Sequence, residues 1–199
     1  MTALDSADQI PRQKELLRNE ALARRDALPA TQRQAAAETI AARKFPVAVP
    51  RGAVVSGFMP MKSEINPLPL LKRLAAEGAT LALPVVMARG KPLIMRVWEF
   101  GGPLDAGVWG IRQPKAGAPE IDPDILIVPL AAFDRAGHRI GYGAGYYDMT
   151  ITRLRGIKPV VAVGIAFAAQ EIPRVPATER DARLDLVLTE REIIDFHKA

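Results

Sequence analysis

The chain has no cysteine, which excludes disulfides, thiolate nucleophiles and zinc sites built on sulfur. His138 and His197 are its two imidazoles. Metal chemistry therefore has to lean on carboxylates, water and phosphate oxygens, a donor set that favours magnesium over zinc. Aromatics make up 6% of the residues and are not interleaved with a basic run, so the stacking platform of a single-strand nucleic-acid binder is missing and no nucleic-acid partner is expected. No apolar run approaches the roughly 20 residues needed to span a bilayer. Residues 1–9 lack the basic start and apolar middle of a secretory signal. The expectation is a soluble, cytoplasmic protein with no membrane partner.

What is present suits one globular unit. At 199 residues and 49% hydrophobic, the chain can bury a sizeable core but is short for two large domains. A single domain over 1–199 is expected, with residues 1–10 as a flexible lead-in. Lys and Arg number 27 against 22 Asp and Glu, an excess that suits an anionic small molecule.

Asp8 reads as the cap of a helix beginning near Pro11 and running to Leu28, with Leu17, Ala21 and Leu28 on one side. Lys14, Arg18 and Arg25 form a basic stripe on a neighbouring face. A solvated helix surface is the simple reading of that stripe; its charge gains meaning only if a phosphate site lies opposite. Thr31 with Gln34 has the spacing of a capping box for a second helix to Lys44.

Farther on, Ala53 to Phe58 reads as a strand, Pro67 opens a helix closed by Gly78, and Thr80 to Val86 and Pro92 to Phe100 resume strand character. Gly101 to Pro123 reads as a long ordered loop with an embedded turn, and such loops are often functional. Ile125 to Leu130 is a fully apolar strand, Tyr146 to Arg155 a helix, Val160 to Gly164 a buried strand and Leu184 to Leu188 the last one. This alternation predicts an α/β domain whose sheet is covered on both faces.

The most informative stretch is Gly137 to Asp148. Gly141, Gly143 and Gly145 offer backbone amides at alternate positions, and Arg139, Tyr146, Tyr147 and Asp148 crowd polar chemistry around them. A Gly-rich turn opening a helix can hold a phosphate on N–H groups and the positive helix end. The spacing is neither the dinucleotide fingerprint nor a Walker P-loop, so a tight-packing bend is the competing reading. Asp134 and Asp148 are candidate magnesium ligands, with a helix cap or buried hydrogen bond as the alternative for Asp148. Phe58, Met59 and Met61 beside Glu64 can line a pocket for a planar heterocycle, with Glu64 on its polar edge. Trp109 and Gln113 form a second candidate wall. For Glu64 and Trp109, a helix-capping or packing role is the plain alternative.

Taken together, these segments resemble the 5-formyltetrahydrofolate cyclo-ligase family. The likeness runs from Lys14-x-x-x-Arg18 and Arg25 through Met61-Lys62-Ser63-Glu64-Ile65, Trp109-Gly110-Ile111-Arg112-Gln113-Pro114 and Asp124 to Pro129. It continues through Phe133-Asp134, the glycine motif, Gln170 and Val175-Pro176 to Asp181 and Asp185. The resemblance implies a single three-layer α/β/α domain with a mixed, mostly parallel sheet and an N-terminal basic helix. It implies ATP- and Mg²⁺-dependent closure of 5-formyltetrahydrofolate to 5,10-methenyltetrahydrofolate, without an obligate protein partner and as a monomer.

Carried onto this chain, Lys14, Arg18 and Arg139 would meet ATP, together with Ile140, Gly141, Tyr142, Gly143, Ala144, Gly145, Tyr146 and Tyr147. Phe58, Met59, Met61, Glu64, Trp109, Gln113 and Tyr147 would border the folate. Lys14, Arg139, Tyr147 and Asp148 would serve the reaction, with Asp134 and Asp148 toward magnesium. Ala144 and Met149 depart from the family pattern, in which Lys can stand at the first place and many members carry Arg or another residue at the second. A non-catalytic nucleotide- or folate-binding protein and a related ATP-dependent ligase remain as alternative readings.

Overall fold

The structure is a computed structural model that describes residues 3–197, with the backbone alone for residues 3–8. Among the described residues there are four helices, α1 (Ala3–Asp26), α2 (Ala30–Ala42), α3 (Leu68–Ala76) and α4 (Tyr146–Arg155). The strands are β1 (Val54–Ser56), β2 (Thr80–Val85), β3 (Ile94–Val97), β4 (Asp105–Ala106), β5 (Arg112–Gln113), β6 (Ile125–Val128), β7 (Ala132–Phe133), β8 (Arg139–Ile140), β9 (Val161–Ile165), β10 (Leu186–Leu188) and β11 (Ile193–Asp195).

Seven strands form one sheet in the order β11-β10-β9-β6-β1-β2-β3. The inner five are parallel and the two edges, β3 and β11, are antiparallel. Period-two alternation decides which face each residue covers. Ile125, Ile127, Val163 and Ile165 face α2 and α3, where Ile40, Leu70, Leu71 and Leu74 are buried. Leu126, Val128 and Ala162 face the opposite way, against Ile151 and Leu154 of α4. The result is the expected three-layer α/β/α domain. A third apolar cluster joins Ala21 of α1 to Ala132, Ile140, Ile172 and Val175, which fastens the basic helix to the β7–β8 hairpin.

Several boundaries differ from the sequence pattern, each for a local reason. α1 continues through Pro11 to Ala3, so Asp8 lies within the helix and is not its cap. In α2 the N-cap position belongs to Pro29, without a side-chain cap. Thr31 is thereby displaced into the first turn, and Gln34 bonds Glu38 one turn on, at 3.0 Å, in place of the capping box. Gly101 to Pro123 contains the β4–β5 hairpin and a 3-10 turn, Val108–Gly110. Leu184 to Leu188 is not the last strand: a turn at Thr189, whose hydroxyl accepts from the Arg191 and Glu192 amides, folds β11 back along β10.

The chain leaves β1 toward β2 on one side and returns to β6 on the other. The carboxyl ends of β1 and β6 thus flank a topological switch point, where α/β sheets open a crevice. Gly57, directly after β1, admits α3 closely: a Cβ there would lie 2.2 Å from Leu71 Cδ1, and Leu71 is fully buried. Gly57→Ala is expected to destabilise the protein by about 1–3 kcal/mol through overpacking, read as a lower urea midpoint at unchanged slope. A midpoint equal to that of the parent would show that α3 can retreat.

Candidate functional site

The site is built around the β7–β8 hairpin. After β8 the chain turns through Gly141 to Gly145 into α4. Gly143 at φ 99° and Gly145 at φ 68° occupy the left-handed region that other residues enter at a cost. Ile140 is buried against α1 and so contributes backbone and packing here. The strand feeding the loop is β8, since the hairpin intervenes after the apolar β6.

The basic stripe of α1 is not a solvated surface. Lys14 Nζ lies 2.6 and 2.7 Å from the two carboxylate oxygens of Asp181. Arg18 donates from Nε to the Gly141 carbonyl at 2.7 Å and lies beside Gly143. Arg25 is 3% exposed. The helix therefore meets the glycine loop with its charged face, which only the tertiary placement of the loop could reveal.

At the switch point lies a cavity of about 410 Å³. Phe58, Met59, Met61, Glu64, Trp109, Gln113 and Tyr147 all line it, as do Arg139, Gly141, Tyr142, Ala144, Gly145, Tyr146 and Asp148. Lys14, Arg18, Ile140, Gly143 and Asp134 are not among its lining residues. Pro84, Val86 and Leu93, from the end of β2 and the approach to β3, Val108 and Ile111 beside Trp109, and Pro129 complete the wall. No local motif marked Pro84, Val86 or Leu93, whereas Pro129 ends the matched segment that begins at Asp124. Trp109 is 70% exposed, sits in the 3-10 turn at φ 56° and leans on the Tyr146 ring at 6.2 Å. It lines the cavity from an exposed position and is not core packing.

Glu64 is a buried carboxylate that accepts the Met61 N–H at 2.7 Å. Burial pushes its pKa up, opposed by the Tyr142 hydroxyl, the Met61 amide and Arg25. Burial likewise pushes the Tyr147 hydroxyl up, reinforced by Glu64, so it stays protonated. Arg139 is 5% exposed; it reaches Asp148 at 3.0 Å and the Ala182 carbonyl at 2.6 Å. Burial pulls its pKa below the ordinary arginine value, while Asp148 and Asp181 support the cation. Asp148 also accepts the Ala182 N–H at 3.0 Å. Burial works against the charge of Asp181, yet Lys14 and Thr178 together hold its pKa below the usual range. The segment around Asp181 and Ala182 thus closes the site from the far end of the chain.

Asp134 stands apart from this cavity. It is 2% exposed, and its oxygens accept the backbone N–H groups of Ala136, His138 and Val175 at 2.9, 3.0 and 2.9 Å. His138 lies beside it, with Nδ1 at 3.4 Å. This is the environment of a carboxylate that closes a hairpin turn. Asp134→Asn is expected to cost about 1–3 kcal/mol of stability, because one buried acceptor becomes a donor facing a donor. Its magnesium dependence should match the parent's in a metal titration of activity; a shifted requirement would return Asp134 to the metal.

Among the described residues no three His, Cys, Asp or Glu side chains gather into a metal cage. The carboxylates acting on Arg139 are Asp148 and Asp181. One or two carboxylates with phosphate oxygens and water is a set that suits magnesium brought with a nucleotide, and it does not suit a resident zinc. Among the same residues no helix is long and apolar enough to cross a membrane.

Known proteins resemble this chain in both sequence and fold. The chain is 32% identical to a 5-formyltetrahydrofolate cyclo-ligase of Mycolicibacterium smegmatis over 90% of its own length and 94% of the relative's. It is 30% identical to the enzyme of that name from Escherichia coli K12, covering 87% and 98%. A solved 5,10-methenyltetrahydrofolate synthetase from Aquifex aeolicus superposes with a TM-score of 0.76 at 26% identity, covering 94% of each chain. A Mycoplasma pneumoniae protein of the same name shares the fold, with a TM-score of 0.71 at 21% identity over 89% and 98%. Residues 10–190 match the family profile, and on that match and these relatives the chain belongs to the 5-formyltetrahydrofolate cyclo-ligase family.

Proposed function

We propose that this protein closes 5-formyltetrahydrofolate to 5,10-methenyltetrahydrofolate, consuming ATP and releasing ADP and phosphate. One observation carries the reading. The glycine loop is at once a wall of the apolar cavity and a contact of the basic helix, so a nucleotide phosphate held on its amides lies next to a heterocycle held in the cavity.

The chemical obstacle is the formyl group, whose carbonyl is a poor electrophile and whose oxygen is a poor leaving group. Phosphorylation removes both difficulties. The formyl oxygen attacks the terminal phosphorus, the bond to the bridging oxygen breaks, and ADP leaves with that electron pair. The substituted nitrogen then shares its lone pair with the carbon, giving an imino-phosphate. The second folate nitrogen attacks that carbon, the carbon–oxygen bond breaks, phosphate departs with its electrons, and the attacking nitrogen loses its proton.

No protein nucleophile is needed, which agrees with the absence of cysteine. Lys14, Arg18, Arg139 and the amides of Gly141 to Gly145 stabilise the charge that spreads over the transferring phosphoryl group. Lys14 reaches the phosphates from a position it now shares with Asp181. Asp148 and Asp181, together with phosphate oxygens and water, would hold magnesium, which when bound neutralises phosphate charge. Phe58, Met59 and Met61 exclude water from the heterocycle, Glu64 binds its polar edge, and Trp109 with Gln113 covers it. Tyr147, held protonated, donates a hydrogen bond beside the reacting groups. Alignment of two bound molecules supplies most of the acceleration.

The test is the appearance of near-ultraviolet methenylfolate absorbance from 5-formyltetrahydrofolate, requiring both ATP and Mg²⁺. Binding of ATP with no product at saturating substrate would end the proposal.

A further inference from the structure

One buried charge takes no part in those steps. Arg25 is 3% exposed, and its Nε donates to Ser63 Oγ at 3.0 Å, while the Ser63 hydroxyl donates to Asp26. Its Nη1 donates to the Tyr142 hydroxyl at 2.5 Å, and its guanidinium carbon lies 5.9 Å from the Tyr142 ring centroid. A guanidinium carries donors alone, so the Tyr142 oxygen accepts and its hydrogen is directed elsewhere. Glu64 lines the same cavity as Tyr142, and the two groups act on each other's charge, the hydroxyl lowering the Glu64 pKa and the carboxylate raising that of Tyr142. Tyr142 as a whole remains 43% exposed, while burial, reinforced by Glu64, pushes the pKa of its hydroxyl up.

Three separate segments are thereby joined: the end of α1, the glycine loop and the loop after β1. We propose, building on the folate reading of this cavity, that Arg25 and Tyr142 are positioning residues that hold Glu64 as an ionised acceptor. In that state Glu64 takes the paired N–H groups of a flat aminopyrimidine-type ring. The same link ties recognition of the ring to the placement of the loop that receives the phosphates.

The physical need is direct. A carboxylate this buried drifts toward its neutral form, and a neutral acid presents an O–H to the N–H edge of the ring. The groups facing Glu64 are Arg25 from α1, Tyr142 from the glycine loop, Tyr147 from α4 and the Met61 amide of its own loop. Of these, Arg25 and Tyr142 supply the charge and the side-chain hydrogen bond that favour ionisation.

Tyr142→Phe tests this, since it keeps the ring over Arg25 and removes the hydroxyl alone. In ligand-free protein, a ¹³C NMR titration of the Glu64 carboxyl should show its midpoint moving to higher pH in Tyr142→Phe, and also in Arg25→Gln. In turnover, the acid limb of kcat/KM for 5-formyltetrahydrofolate should move the same way. The folate KM should rise about tenfold, the worth of one charged hydrogen bond, with a much smaller change in kcat. Arg25→Lys, which keeps the charge without the fork, should recover part of the loss. An unmoved Glu64 midpoint, or a moved midpoint with an unchanged folate KM, overturns the proposal. If Arg25→Gln does not fold, Tyr142→Phe decides alone. A parent protein without turnover would sink the proposed function and not the Arg25–Tyr142–Glu64 link, which the ligand-free titration reads independently.

Discussion

Arg139→Ala is expected to lower kcat by about a hundredfold to a thousandfold, the usual cost of removing one preorganised group that stabilises transition-state charge. Among the described residues, Arg139 is the one cation that lines the cavity, and it is anchored on two sides, by Asp148 at 3.0 Å and the Ala182 carbonyl at 2.6 Å. That anchoring fixes its direction before substrate arrives, so the proposed phosphoryl transfer would need no reorganisation of this group. Removing it also leaves Asp148 short of its partner, but that carboxylate is part-exposed and keeps the Ala182 N–H, so the loss of stability should fall below the ~3–5 kcal/mol of a fully buried pair. Arg139→Lys separates the two effects. An ammonium keeps the charge but cannot span both anchors, so stability should recover more than kcat. The measurements are thermal melts with single-turnover rates at saturating ATP. Parent-like rates in folded Arg139→Ala would remove Arg139 from the chemistry.

Glu64→Gln should raise the folate KM by about a hundredfold, since two charged hydrogen bonds to the ring edge are weakened together. The same substitution should make the folded protein more stable at neutral pH. Burial raises the pKa of Glu64, so the folded state binds its proton more tightly than the unfolded state. Stability contributed by that group is therefore complete at low pH and declines as pH rises from the unfolded value of about 4.3 through the folded one. A neutral amide at this position has no such loss. The stability gap between the Glu64→Gln variant and the parent should be absent in acid, open across that window, and then hold constant. A gap that stays closed to neutral pH would mean the carboxylate is ionised at no cost, contrary to its burial. Improved stability with impaired recognition is the balance expected of a charge kept for function.

These residues also show how far local pattern carries. The apolar strand Ile125–Val128, the glycine loop and α4 from Tyr146 to Arg155 were legible because period, composition and turn chemistry act over neighbouring residues. Every residue named for the folate wall, from Phe58 to Tyr147, lines one cavity. The role of Asp134 was not legible, because its three amide partners, one of them at Val175, are assembled only when the hairpin closes. Asp181 was visible as a matching position, but its pairing with Lys14 spans 167 residues, and no periodicity reports such a contact. Helix ends were equally hard to place: Thr31 has a capping sequence, yet Pro29 takes the cap position in α2.

By itself the sequence determined the layers, through alternating apolar residues in short strands and an amphipathic helix such as α3, and it marked the loop proposed to hold an anion, through glycines that free the backbone. Tertiary structure alone decided which charges belong to the site. Lys14, Arg18 and Arg25 look alike along a helix, and they became different groups when one met a carboxylate, one a loop carbonyl and one a tyrosine hydroxyl. Their electrostatic character depends on solvent exposure and on partners far away in the chain, and both exist only after the sheet has brought those partners together.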